Sequence, residues 1–343
     1  MPLDEREVEG GTTQSLQRVQ SDAACNNQNS RRAAASPNVR KAHGGMRAGV
    51  SQFVDLWRYH KRNTVEFARH DYLDVFCGLV ADMSNYGIGA PRGLSVLDLG
   101  CGQRLASSLL LSAHGAVVTA VDQEYVLRSL GPREVVALAR RSSPRRTVKT
   151  LVRKIVFDKT YYDELTRLSG ERLDTHRVPV FQTDACAMPF ADGSLDLVVS
   201  NAVFEHIRDV PAAVSEVARV LRPGGFCHVN IHNFYSLSGG HDLRWAFPDS
   251  SPPNDAVPWG HLMGRDWRPA TFLNRLRPSE FDAEFSAHFE LLLASPADAS
   301  HRHAPAQKEG EVFLSGAALE LLSTYSREEL LYRSHLIIGR KPG

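Results

Sequence analysis

The residues best equipped for chemistry sit at the ends of apolar runs. Val96-Leu97-Asp98-Leu99 leads into Gly100-Cys101-Gly102, a turn where the chain must bend sharply and let a ligand approach the backbone. A pyrophosphate binder would continue to a third glycine, but Gln103-Arg104-Leu105 follow instead. Asp98, inside the strand end, suits a ligand carrying a cationic amino group. Asp122, at the tip of the next apolar run, is placed to accept hydrogen bonds from two ribose hydroxyls. Asp184 and Ala185 close the third run, where a carboxylate can accept from an adenine amino group, with Met188 and Phe190 as walls for the ring. A strand-end aspartate alone more often caps the following helix. Three at successive strand ends beside a Gly-x-Gly turn point to a nucleoside-type ligand.

A second set of residues could move protons. Glu205-His206 follows the fourth apolar run, and His232-Asn233 ends the fifth. His241-Asp242 and His261 lie just beyond, a His/Asp cluster able to hold a base or a divalent ion. His206, His232 and His261 are the candidate catalytic residues. No ligand spacing is diagnostic, so no metal is assigned.

The elements that must position these groups follow from periodicity. Strands are expected at Leu94–Leu99, Ala116–Val121, Val178–Thr183, Leu195–Ser200 and Phe226–His232, with two more at Phe289–Ala294 and His335–Gly339. Helices are expected at Leu105–Ser112, Ala212–Leu221 and Gly316–Ser323. Alternating strands and helices, with continuously apolar strands, predict a doubly wound, mostly parallel, seven-stranded α/β sheet covered on both faces. Residues 1–45 carry few large apolar side chains and read as a disordered segment. Residues 46–93 read as a helical N-terminal extension, with Phe53, Leu56, Trp57, Val65, Tyr72, Val75, Phe76, Leu79 and Met83 at helical spacing. Residues 94–343 form the main domain, with long insertions at about 128–176 and 234–270 and a further long segment at 297–315.

The first insertion is basic. Arg128, Arg133, Arg140, Arg141, Arg145, Arg146, Lys149, Arg153, Lys154 and Lys159 face few acids, so 128–159 is either a solvated helical face or a contact surface for an anionic substrate or, peripherally, for membrane headgroups. The second joins Trp245 and Trp259 to His241, Asp242, Arg244 and His261, either a surface for sugar faces and flat rings or a packed lid with a small core.

Bulk composition narrows the field. Hydrophobic residues make up 43% and charged residues 23%, ordinary values for a chain that buries a full core. A formal net charge of +1 and the absence of a recognised RNA- or DNA-binding motif argue against a nucleic-acid partner. Five scattered cysteines without a Cys-x-x-Cys pair suggest neither a zinc knuckle nor a disulfide framework, and a cytoplasmic location is expected. No apolar run approaches the length of a membrane span or a secretory signal.

VLDLGCG (96–102), AVD (120–122), TDACAMPFADGSLDLVVSNAVFEHI (183–207) and VARVLRPGGF (217–226), in that order, resemble the class I S-adenosylmethionine (SAM)-dependent methyltransferases, close to the methyltransferase type 11 group. The resemblance covers roughly residues 94–233. It implies SAM as cofactor and a cofactor lining at Gly100, Gly102, Asp122, Asp184 and Asn201. One departure stands out: the family often has a glycine where this chain has Arg104, which either points away, reaches the cofactor carboxylate, or damages the site. The resemblance implies methyl transfer to a small-molecule or glycan acceptor, with a saccharide hydroxyl expected. A small amine, phenol or quinone-like ring is the alternative acceptor, and a catalytically silent binding module the alternative class. The sequence leaves the oligomeric state open.

Overall fold

The computed structural model of the protein describes residues 63–245, 254–265, 267, 271–297 and 308–343. The segment 1–45, the helical spacing at Phe53, Leu56 and Trp57, and residues 298–307 of the 297–315 segment lie outside the described residues.

A π-helical stretch, His70–Phe76, runs into α1 (Cys77–Asn85). The alternation that follows is β1 (Ser95–Leu99), α2 (Ala106–Ala113), β2 (Val117–Asp122), then α3 (Pro132–Arg141), α4 (Pro144–Val156) and α5 (Asp158–Ser169). Next come β3 (Val180–Gln182), β4 (Leu195–Asn201), α6 (Val210–Val220) and β5 (Leu221–His232). The chain ends with α7 (Pro278–Ser286), β6 (Glu290–Ala297), α8 (Arg327–Leu331) and β7 (Ser334–Arg340). The strands form one sheet in the order β3-β2-β1-β4-β5-β7-β6. β1 to β5 pair in parallel, and β7 runs antiparallel to both β5 and β6. This is the doubly wound, mostly parallel, seven-stranded architecture that the apolar runs predict.

Each face of the sheet buries its own core, which explains why the strands are apolar on both sides. On one face Val198, Val229 and Ile337 pack with Val214 and Val217 of α6 and Phe281 and Phe285 of α7. On the other, Val96, Val118 and Leu197 pack with Leu79 and Met83 of α1, Leu109 and Leu110 of α2, and Tyr161 and Leu165 of α5. The buried His228 of β5 holds Asp82 of α1 at 2.9 Å, pinning the N-terminal helix to the sheet.

Several elements differ from the sequence expectation. β5 starts at Leu221 rather than Phe226, because Pro223-Gly224-Gly225 is absorbed into the strand, with a register shift between Leu195 and Leu197 of β4. Gly316–Ser323 is a 3-10 helix. The insertion 128–176 agrees with its helix-prone composition and holds three helices, α3, α4 and α5. Met188 and Phe190 are buried in the α6-side core. In the second insertion Trp245 and Trp259 are buried with Leu237, Leu314, Leu330 and Leu331, joining the insertion to the C-terminal segment in a third core. The packed-lid reading of these two tryptophans therefore holds, and the sugar-facing one does not.

Candidate active site

The sheet order reverses between β1 and β4, and open α/β sheets bind ligands beyond the carboxyl ends of the strands at such a switch point. Here a cleft of about 330 Å³ is lined by Asp71, Asp98, Gly102, Arg104, Arg153 and Asn201, among others. That volume lies at the lower end of the roughly 300–1,000 Å³ usual for small-molecule sites.

The Gly-x-Gly turn is shaped by close approach and left-handed backbone. Gly100 has φ 77°, and a Cβ there would fall 2.2 Å from Val203 Cγ2. Gly102 has φ 62°, and a Cβ there would meet nothing within 4 Å, leaving open space over its backbone. Asp122 holds this turn from behind. Its carboxylate accepts from the Gly102 amide at 3.0 Å and from the Glu124 amide at 2.8 Å. Burial raises the Asp122 pKa, an effect the two amides offset in part. Each oxygen keeps a further lone pair for a ligand hydroxyl.

Asp98 is buried in the cleft wall and accepts a hydrogen bond from Ser108 of α2. Burial pushes its carboxyl up to about 6, with the Ser108 hydroxyl and amide working in the opposite direction. Asn201, at the end of β4, accepts from Asn230 Nδ2 at 2.8 Å. Asp184 and Ala185 stand past the end of β3, and the exposed Asp184 accepts from the Cys186 amide at 3.0 Å. The structure thus brings Asp98, Gly100, Gly102 and Asn201 into one cleft, braces it with Asp122, and leaves Asp184 and Ala185 at a neighbouring strand end.

Arg104 turns inward. Its guanidinium lies 4.2 Å from the Tyr161 ring centroid and 5.4 Å from that of Phe67, with Nε 3.7 Å from Asp158 Oδ1. Both Nε and Nη2 are buried without a hydrogen-bond partner. A buried donor left unmade costs about 1–3 kcal/mol, more for a charged group, and here the Asp158 carboxylate and the Tyr161 ring face offset part of that cost. Arg153 of α4 donates to the Gln103 carbonyl at 3.3 Å and to Asp158 Oδ1 at 3.2 Å, locking the basic insertion onto the turn. The cleft therefore presents a buried carboxylate, Asp98, and a buried guanidinium, Arg104. That pairing matches the ammonium and carboxylate of an amino-acid zwitterion, and the residues present fit SAM.

A second cluster lies past the ends of β4 and β5. Glu205 and His206 sit on a 3-10 turn, Phe204–His206, directly after β4. The Glu205 carboxylate is buried without a well-formed hydrogen bond, and burial raises it to about 8 against the opposing effect of the Glu205 and His232 backbone amides. His206 donates Nδ1–H to the Phe272 carbonyl at 2.8 Å, so Nε2 carries the lone pair, 3.7 Å from Glu205 Oε1. Burial lowers the His206 pKa. His232 meets Ser238 Oγ at 2.9 Å, and Ser238 donates its own proton to Glu309, so His232 Nε2–H is the donor there. Burial, then His241 and Arg333, hold His232 well below the usual imidazole range. His261 donates Nε2–H to the Phe234 carbonyl at 2.8 Å, and burial pushes it down to about 4. The ring of His241 lies 4.9 Å from that of His206 and 4.5 Å from that of His232. His206 and His232 thus share one pocket with Glu205 and His241, while His261 packs one layer away against Phe234.

The sequence pairs His241 with Asp242, but the structure does not. Asp242 is held by Arg244 at 2.6 Å, and the acid facing His241 is Glu205, at 4.0 Å. Sequence reasoning also leaves Asp71 and Arg153 out of the cleft. Their signal was the basic insertion itself, whose cations outnumber its acids and so imply an acidic partner elsewhere.

Comparison with known proteins agrees with this geometry. Residues 156–229 match the family model described as a methyltransferase domain. A probable S-adenosylmethionine-dependent methyltransferase of Mycolicibacterium smegmatis is 40% identical over 81 residues, 24% of this chain and 31% of that protein. A sterol 24-C-methyltransferase of Gibberella zeae is 27% identical over 176 residues, 50% of this chain and 37% of that protein. The chain spans about a third of the length of the curated relatives it matches. Among solved structures, a Burkholderia thailandensis 1,6-didemethyltoxoflavin-N1-methyltransferase with bound S-adenosylhomocysteine covers 90% of this chain and 95% of its own, at 14% identity and a TM-score of 0.38, a likeness too distant to carry function. Residues 156–229 thus match a methyltransferase-domain family, and the ordered motifs and the switch-point cleft resemble those of the class I SAM-dependent methyltransferases.

Proposed function

We propose that the protein transfers a methyl group from SAM to a hydroxyl of a small molecule, a saccharide or related metabolite. The observation that carries the cofactor half is the zwitterion match of Asp98 and Arg104 inside the switch-point cleft. SAM supplies a methyl activated on a sulfonium. Asp98 holds the ammonium, Arg104 the carboxylate, and Gly102 leaves its backbone open to close approach. Asp122 and Asp184 are the acceptors for ribose and adenine.

A hydroxyl needs a proton acceptor, which an amine or thiolate often does not. His206 fits that role best of the three histidines. Its Nε2 lone pair is free, and its basicity is less suppressed than that of His232 or His261, which serve to shape the pocket. The burial of Trp245 and Trp259 removes two rings as a sugar platform, so the hydroxyl is better supported than the saccharide that carries it. Incubation with methyl-tritiated SAM and matched sets of saccharides, phenols and amines tests this. Label should enter hydroxyl acceptors. Label in amines alone would contradict the hydroxyl reading, and no label despite bound SAM would promote the silent binding module.

Protonation gives a separate expectation. Asp98 must be ionised to hold an ammonium, and its carboxyl titrates near 6. SAM affinity should therefore be level above that pH and fall by roughly tenfold per unit below it, since each binding event must then release one proton. Calorimetry between pH 5 and 7.5 checks this, and a flat profile would remove Asp98 from the ammonium site.

The basic insertion supports a peripheral contact with anionic lipid. α3 and α4 expose Val136, Val148, Ile155 and Val156 beside Arg133, Arg140, Arg145 and Lys149. Apolar residues set among cations suit an interface between headgroups and acyl chains. The chain should float with phosphatidylglycerol vesicles at low salt and stay behind with phosphatidylcholine. Equal behaviour toward both would leave 128–159 as a solvated face.

A further inference from the structure

We propose that Glu205, His206 and His241 form a site for one divalent first-row transition-metal cation, set beyond the ends of β4 and β5. The three side chains each offer one ligand atom, and these atoms lie within 4.8 Å of one another. Glu205 Oε1 stands 3.7 Å from His206 Nε2 and 4.0 Å from His241 Nε2. Those gaps are too long for hydrogen bonds. They are close to the spacing of ligands around a shared ion: at metal–ligand lengths of about 2.0–2.2 Å, neighbouring atoms in a tetrahedral shell stand about 3.4 Å apart. A shift of a few tenths of an ångström per side chain closes the shell.

Three further observations point to an ion. Both Glu205 oxygens and His241 Nε2 are buried without a well-formed hydrogen bond, the Glu205 carboxylate being approached by no more than the backbone amides of Glu205 and His232. His206 is already oriented as a ligand, with Nδ1–H given to the Phe272 carbonyl and Nε2 turned to the acid. His241 is held at φ 51°, a left-handed conformation that costs a non-glycine residue about 1–2 kcal/mol. Its backbone is fixed there by its amide bond to the Ser238 carbonyl and by the Trp267 indole, which donates to the Gly240 carbonyl. Two imidazoles and one carboxylate favour manganese, iron, cobalt or zinc over magnesium or calcium, which prefer oxygen ligands. Three protein ligands leave positions open for a hydroxyl, whose proton the ion would loosen. With the ion bound, His206 Nε2 is a ligand and the ion takes over from it the loosening of the hydroxyl proton; that role rests on the methyltransferase reading, the ion site itself does not.

The test is titration of the metal-stripped full chain with Co²⁺, read by visible d–d absorption and calorimetry, with a parallel titration of SAM on the same preparation. One equivalent of Co²⁺ should bind, and Glu205→Gln and His241→Ala should each weaken it at least tenfold while SAM binding stays as in the parent. If Glu205→Gln fails to fold, His206→Gln carries the same comparison, since the His206 side chain is 30% exposed. Absence of Co²⁺ binding at millimolar concentration would overturn the proposal and leave a bridging water as the filler. Equal Co²⁺ affinity in parent and variants would overturn it as well. Loss of SAM binding in the parent, with Co²⁺ bound, would count against the methyltransferase reading and not against the ion site.

Discussion

Replacing Gly100 with alanine should all but eliminate SAM binding while leaving a folded, soluble protein. The new Cβ would lie 2.2, 2.8 and 3.0 Å from Val203 Cγ2, Cγ1 and Cβ, inside any tolerable contact. The backbone at φ 77° adds left-handed strain of about 1–2 kcal/mol for a residue with a Cβ. Val203 is only partly buried and sits on the segment after β4, so relief comes by pushing that segment and the Gly-x-Gly turn apart. The sheet beneath, with β1 paired to both β2 and β4, is expected to persist. Calorimetry should show at least a hundredfold loss of SAM affinity, equivalent to about 2.7 kcal/mol. Circular dichroism should keep the parent signature. Parent-like affinity would mean that the turn does not touch the cofactor.

Arg104→Ala should weaken SAM by about 10–100-fold, the range expected when a charged hydrogen bond worth roughly 1.5–3 kcal/mol is lost. The contrast that identifies the role uses 5′-methylthioadenosine, which lacks the amino-acid tail. Its affinity should be unchanged in the variant if Arg104 meets the carboxylate. Equal losses for both ligands would instead make Arg104 a packing residue, held by Tyr161 and Asp158 to keep α5 against the turn. An arginine in place of a glycine is then an added contact and not a damaged site.

The parts legible in sequence are those encoded locally. β1 and β2 could be read because Val96, Leu97, Val118 and Val121 are buried on both faces, which demands continuous apolar runs. The Gly-x-Gly turn could be read because left-handed backbone demands glycine at 100 and 102. What could not be read depends on contacts between distant segments. Nothing near Trp245 announces that Leu314, Leu330 and Leu331 will cover it. The partner of His241 is 36 positions earlier, at Glu205, while its sequence neighbour Asp242 is captured by Arg244. The inward turn of Arg104 depends on Phe67 and Tyr161, which arrive from opposite sides along the chain. The packing of Met188 and Phe190 against α6 is hidden for a related reason. Apolar residues after a strand serve either a ligand or the adjacent helix, and here α6 claims them.

The SAM cleft is the claim on which the rest stands, and titration of the full-length chain with SAM and separately with NADH tests it most directly. One equivalent of SAM at micromolar affinity, with no heat from NADH, is the expected result. Heat from NADH with silence toward SAM, or silence toward both, would contradict the assignment of Asp98, Gly102 and Arg104 to a SAM site.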